Sequence, residues 1–134
     1  NKIGRGSGTI VVISRDAASG TFETFNKLAL DKAKVTDGAL MLVSNLEVAR
    51  IVAQTPGAIG YVGLAYLSDE DKALKVDGII PSEETVRNET YPLARPLFMY
   101  TIGSPGGLAK DFIDFIMSKQ GQKIVQEAGF VPVK

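Results

Sequence analysis

The chain of 134 residues contains no cysteine and no histidine. Those two absences together remove thiol nucleophiles, Cys/His zinc sites, Ser-His-Asp triads and histidine acid–base catalysis. Lack of cysteine is compatible with any compartment. A dominant charge is missing as well. Fifteen Lys and Arg face 15 Asp and Glu, so the formal net charge is zero. No basic stripe marks a nucleic-acid binder, and there is no acidic tail. No apolar run reaches the roughly 20 residues that span a bilayer. Internal repeats and low-complexity blocks are absent. The chain is still long enough for one domain with a core, and 45% hydrophobic residues is ordinary for a globular protein.

The most informative segment runs from Ile10 to Phe25. It reads as an apolar strand, a short turn and the start of a helix, with Arg15 at the strand's exit and Ser19-Gly20-Thr21 at the first helical turn. The first N–H groups of a helix lack intrahelical partners and carry the positive end of its dipole, so anions bind there. Gly20 lets backbone approach a ligand, Ser19 and Thr21 bring hydroxyls, and the Arg15 guanidinium can grip a tetrahedral oxyanion with two parallel bonds. These residues make half of a phosphate clamp. The same string also fits an ordinary N-cap and turn, with Arg15 a surface residue paired to Asp16. On local grounds the two readings stand level.

Along the chain, residues 1–8 are Gly-rich and read as a flexible lead. Thr9–Ser14 reads as a strand buried on both faces and Thr21 to about Lys34 as a helix. Leu40–Val43 is apolar but of undetermined state. Asn45–Gln54 reads as a helix stopped by Pro56-Gly57, and Ala58–Val62 as a strand in which Gly60 leaves room for a neighbouring backbone. Leu64–Leu67 fits a helical turn, Leu74–Ile80 a strand broken by Asp77-Gly78, and Pro81–Asn88 a short helix capped by Ser82. Leu97–Ile102 reads as a strand. Leu108 to about Ser118 and Gln120–Ala128 read as helices, the second stopped by Gly129. Alternating strands and helices predict an α/β sandwich, in which ligands sit beyond the carboxyl ends of strands. Arg15 through Thr21 occupy such a place.

Four blocks, in order, carry a resemblance: Val12 through Thr21, Thr55 through Val62, Tyr91 through Leu97, and Phe112 through Ile116 continuing by Gly121–Val125 to Gly129–Val133. From about residue 10 the chain resembles the carboxyl-terminal portion of the phosphate-binding proteins of phosphate ABC transporters, within the type 2 periplasmic binding proteins. The resemblance implies an α/β three-layer sandwich, one lobe of a two-lobed fold with carboxyl-terminal helices. In that layout residues 9–90 are the core of the second lobe. Residues 91–134 are a return strand and tail helices that would pack on a first lobe.

By the same resemblance the phosphate contacts are Arg15, Ser19, Gly20 and Thr21, with no catalytic residue, metal or cofactor. The implied partners are phosphate and, through the complete protein, a membrane ABC permease, with no nucleic acid. The implied location is periplasmic or extracellular, with a lipid anchor on the full-length protein as one option; a start at Asn1 rather than Met fits removal of a signal peptide, an anchor or an upstream domain.

The matching part of the family's pattern lacks the first lobe, which supplies the other half of the site, including a carboxylate. Phosphate near neutral pH keeps a proton to donate to such an acceptor and sulfate does not, so a half-site is expected to discriminate poorly. Asp16 is the nearest carboxylate, better suited to capping the turn or pairing with Arg15. Leu108, Phe112, Phe115, Ile116 and Ile124 would then form an uncovered apolar stripe. That stripe suggests a homo-oligomer, with exchange of segment 108–134 as one route to it. A non-transport interaction or sensory module of the same fold, and a site for another oxyanion such as sulfate or molybdate, remain the alternatives. An enzyme fits least, because no pair of Asp, Glu, Ser or Lys stands at a spacing that demands catalysis. Arg95, before Pro96, is expected to make a structural pairing.

Overall fold

The computed structural model describes residues 8–133, so the lead at 1–8 lies outside the described residues except for Gly8. The elements are β1 (Val11–Arg15), α1 (Gly20–Leu28), β2 (Leu40–Leu42), α2 (Asn45–Gln54), β3 (Ala58–Ile59), α3 (Glu83–Arg87), α4 (Gly107–Met117) and α5 (Lys119–Glu127). A 3-10 turn at Leu64–Tyr66 matches the helical turn expected there. The chain divides into two compact units, residues 1–72 and 73–134.

In the first unit a parallel three-stranded sheet has the order β2-β1-β3. β1 is rich in β-branched residues and sits in the centre, where such side chains pack on both faces. Arg15 lies opposite Leu42, and Val12 opposite Ile59. Parallel neighbours need crossover helices, and crossovers are right-handed. The chain steps from β1 outward to β2, then back past β1 to β3. Right-handed connections in opposite directions place α1 and α2 on opposite faces, and both pack on β1. The result is the expected α/β layering, with β1 at the point where the strand order reverses.

Ile13 and Val48 are almost wholly buried, with Ala49 beside them as the apolar centre of the unit. Gly60 permits this packing. A Cβ there would stand 2.9 Å from Val48 Cγ1 and 3.0 Å from Val52 Cγ2. The close neighbour is therefore α2's side chains as well as backbone, and β3 ends at Ile59, short of the expected Val62. α2 has the expected bounds, capped by Ser44 Oγ accepting from Glu47 N. α1 ends six residues before Lys34. The chain turns through left-handed backbone at Asp31 and Lys32 (φ 47° and 63°), and Asn26 serves the loop by donating from Nδ2 to Ala33 O.

In the second unit the strand expected at Leu74–Ile80 is reduced to one antiparallel bridge, Val76 to Ile79, closed over Asp77-Gly78. Both turn residues have positive φ, as a tight primed turn requires. Ser82 caps α3 with a reciprocal bond to Thr85. Burial raises the Tyr91 phenol above its ordinary pKa. α4 and α5 are joined by Ser118 alone, whose Oγ donates to Phe115 O at 2.7 Å and accepts from Gly121 N at 3.2 Å. The buried Gln122 amide donates to Ile116 O and accepts from Val133 N, tying the last residues to the helix pair.

The strand expected at Leu97–Ile102 does not form. A strand exists only with a neighbouring backbone, and 97–102 makes no backbone hydrogen bond among the described residues. Its composition is that of a buried strand, yet Leu97, Phe98, Met99, Tyr100 and Ile102 are all exposed. The stripe of α4 and α5 behaves alike, with Leu108, Phe112, Phe115 and Ile124 exposed and Ile116 half-buried. Arg95 is exposed and makes no ion pair among the described residues, contrary to the structural pairing expected of it.

Candidate functional site

The carboxyl edge of a parallel sheet gathers the ends of its strands and the starts of the following helices. Here β1 leads through Asp16–Ser19 into α1, and β2 leads through Val43-Ser44 into α2. Both helix starts carry the positive end of a dipole.

Arg15 is the last residue of β1 and only 8% exposed. Its burial removes the reading of Arg15 as a surface residue. The guanidinium donates from Nε to Leu42 O at 3.3 Å, from Nη2 to Val43 O at 2.8 Å and from Nη1 to Asn45 Oδ1 at 2.9 Å. All three acceptors are neutral. The nearest carboxylate is Asp16, with Oδ2 4.0 Å from Nη2, and that side chain is 36% exposed. Asp16 Oδ1 meanwhile accepts from Ala18 N at 2.9 Å. Asp16 thus caps the turn and sits at the limit of an ion pair. A guanidinium has five N–H groups, so two remain beyond the three bonds described. A buried cation held by neutral acceptors beside two positive helix ends is short of negative charge.

Ser19 is the N-cap of α1 and 8% exposed. Its Oγ accepts from Thr21 N at 3.2 Å and Phe22 N at 3.3 Å, which leaves its hydroxyl hydrogen free to donate. The Gly20 N–H and the Thr21 hydroxyl have no hydrogen-bond partner among the described residues. Arg15, Ser19, Gly20 and Thr21 therefore share one short strand–turn–helix, with donors to spare.

Two residues that the sequence reading did not place in the site hold it in shape. Asn45 is one. The other is Tyr61. Its hydroxyl accepts from Arg15 N at 3.1 Å and lies 2.8 Å from the buried Ser14 Oγ. Its ring stacks on Phe25 of α1, with centroids 4.1 Å apart and planes 9° from parallel. Tyr61 thereby fixes the backbone at Arg15 and the flank of α1 together. A repeat of the strand–turn–helix pattern at Leu42–Asn45 was the available signal for Asn45; Tyr61, 46 residues from Arg15, had none.

A family model described as a PBP superfamily domain matches residues 2–120. The chain is 42% identical over 126 residues to the phosphate-binding protein PstS of Bacillus subtilis, covering 92% of this chain and 42% of that protein. A solved phosphate-binding protein of a phosphate ABC transporter from Streptococcus pneumoniae superposes with a TM-score of 0.81 at 35% identity, covering 95% of this chain and 52% of the other. A putative phosphate ABC transporter substrate-binding protein from Clostridium perfringens, solved with bound phosphate, gives a TM-score of 0.78 at 33% identity over 96% and 54%. The chain spans about half the length of the relatives it matches.

Proposed function

The chain belongs to the PBP superfamily domain family, and from that footing we propose that it is the part of a solute-binding protein that holds inorganic phosphate through Arg15, Ser19, Gly20 and Thr21. The observation that supports this most directly is Arg15, buried and met by neutral acceptors, beside an α1 start whose Gly20 N–H and Thr21 hydroxyl are unspent. A tetrahedral dianion supplies the charge that this place lacks. In a protein of the relatives' length, the remaining half completes the cleft, residues 91–134 pack on that other lobe, and the whole delivers phosphate to a membrane ABC permease. Such a protein works in the periplasm or outside the cell, and a lipid anchor is one way of keeping it at the membrane. The role is binding, with no reaction of the phosphate.

Titration of phosphate and then sulfate into this chain by calorimetry tests the reading. Phosphate is expected to bind weakly, with a Kd of roughly millimolar order, because one cation and a helix start supply the contacts. Sulfate is expected to bind comparably, since Asp16, the carboxylate recorded beside Arg15 among the described residues, is part-exposed and accepts from Ala18 N, and so is poorly placed to reject an anion that has no proton. A folded chain with no heat from either anion sinks the reading and favours an interaction or sensory module. A preference for sulfate or molybdate over phosphate assigns the site to another oxyanion.

The exposed apolar residues of 97–102, α4 and α5 support a second proposal for the chain by itself, association with another copy. α4 and α5 are bound to each other through Ser118 and Gln122, and Gly103-Ser104-Pro105-Gly106 precedes them. A helix pair on such a hinge can exchange between copies. Sedimentation is expected to show a concentration-dependent dimer; a monomer at every concentration overturns the proposal.

A further inference from the structure

Asn45 stands where local physical chemistry favours a carboxylate. It is the first residue of α2, at the positive end of a helix dipole, and its Oδ1 accepts from a buried guanidinium. An aspartate of the same size would gain from the dipole and turn a neutral hydrogen bond into a charge-assisted one. It would also neutralise Arg15. The other acceptors of the guanidinium, Leu42 O and Val43 O, are backbone carbonyls that no substitution can charge. Asp16, the remaining carboxylate nearby, is drawn to Ala18 N and reaches Arg15 only at 4.0 Å. Among the described residues, Asn45 is thus the side chain hydrogen-bonded to the guanidinium, and its charge is set by the choice of residue at position 45.

We infer that Asn45 is a positioning residue that orients the Arg15 fork while leaving its positive charge available to the bound anion. The inference rests on the anion-binding reading above. An amide at 45 holds Nη1 in place with a neutral oxygen. A carboxylate would hold it better and use up the charge. Part of the chain's stability is in this way forgone in favour of anion affinity, the relation that separates a binding role from a merely structural one.

The test compares Asn45→Asp and Asn45→Ala with the wild-type chain, by thermal melting without anion and by calorimetric titration with phosphate. Asn45→Asp is expected to melt higher than wild type and to bind phosphate at least about tenfold more weakly, since a new negative charge faces the anion across a short distance. Asn45→Ala is expected to melt slightly lower and to bind a few-fold more weakly, having lost orientation but not charge. An Asn45→Asp chain that melts no higher than wild type overturns the inference, because the guanidinium charge is then already met. Equal phosphate affinity in Asn45→Asp and wild type overturns it too. If wild type itself gives no phosphate heat while Asn45→Asp melts higher, the uncompensated charge at Arg15 stands and the anion-binding reading falls.

Discussion

Arg15→Ala is expected to abolish the phosphate heat of the wild-type chain and to lower its melting temperature. The two effects have different causes. Arg15 brings its cation to the start of α1, and an anion left with hydroxyls and N–H groups in competition with water loses at least about a hundredfold in affinity. Stability falls because Leu42 O, Val43 O and Asn45 Oδ1 lose their donor together. These acceptors lie at a sheet edge that water can reach once the side chain is cut back, so the cost is about 2–4 kcal/mol rather than three full desolvation penalties. Arg15→Lys separates charge from geometry. Lysine keeps the cation but cannot span three acceptors with a planar fork, so binding of intermediate strength is expected. Unchanged phosphate heat in Arg15→Ala would remove Arg15 from the site, whatever happened to the melting temperature.

Gly121→Ala is expected to be the most destabilising single methyl addition in the second unit. A Cβ at Gly121 would stand 2.6 Å from Ile116 O and 2.7 Å from Ile116 Cα, and closer still to Phe115 O. These are backbone atoms, so no rotamer change relieves the overlap. Either the joint at Ser118 opens, costing the bonds to Phe115 O and Gly121 N, or α5 shifts and draws Gln122 from Ile116 O and Val133 N. Overpacking of this kind costs about 3 kcal/mol or more when backbone must move. Hydrogen exchange would show the loss as faster exchange over residues 107–133. A melting curve that coincides with wild type would mean that the tight joint is not held in solution.

How much could be read from sequence differed by element for physical reasons. α2 was found at its true bounds because both its ends are written locally, in Ser44 and in Pro56-Gly57. The Arg15–Thr21 turn was found for the same reason, since strand, cap and donors lie within a dozen residues. β2 could not be assigned from Leu40–Val43, because three apolar residues become a strand only when Ile13 to Arg15 lie alongside. Leu97–Ile102 failed in the opposite way. Its side chains suit a strand well, but pairing is a property of two backbones, and among the described residues no second one accompanies it. The long reach of Tyr61 to Arg15 depends on β3 returning beside β1, which no local pattern states. The candidate donors are thus legible locally, and the residues that hold them in shape are not.

Leu97–Ile102 carries a further consequence. Leu-Phe-Met-Tyr-Thr-Ile is uncharged, aromatic and β-prone, and it contains neither proline nor glycine. With its N–H and C=O groups making no backbone hydrogen bond among the described residues, it has the chemistry of a cross-β nucleus, able to stack on identical segments in register. The residues on either side work against that outcome. Pro96 denies the stack a hydrogen bond at its first step, and Gly103-Ser104-Pro105-Gly106 stops it from lengthening at the other end. The hexapeptide is thus bracketed by gatekeepers, and replacing either proline with a β-branched residue would shorten the lag before fibres form.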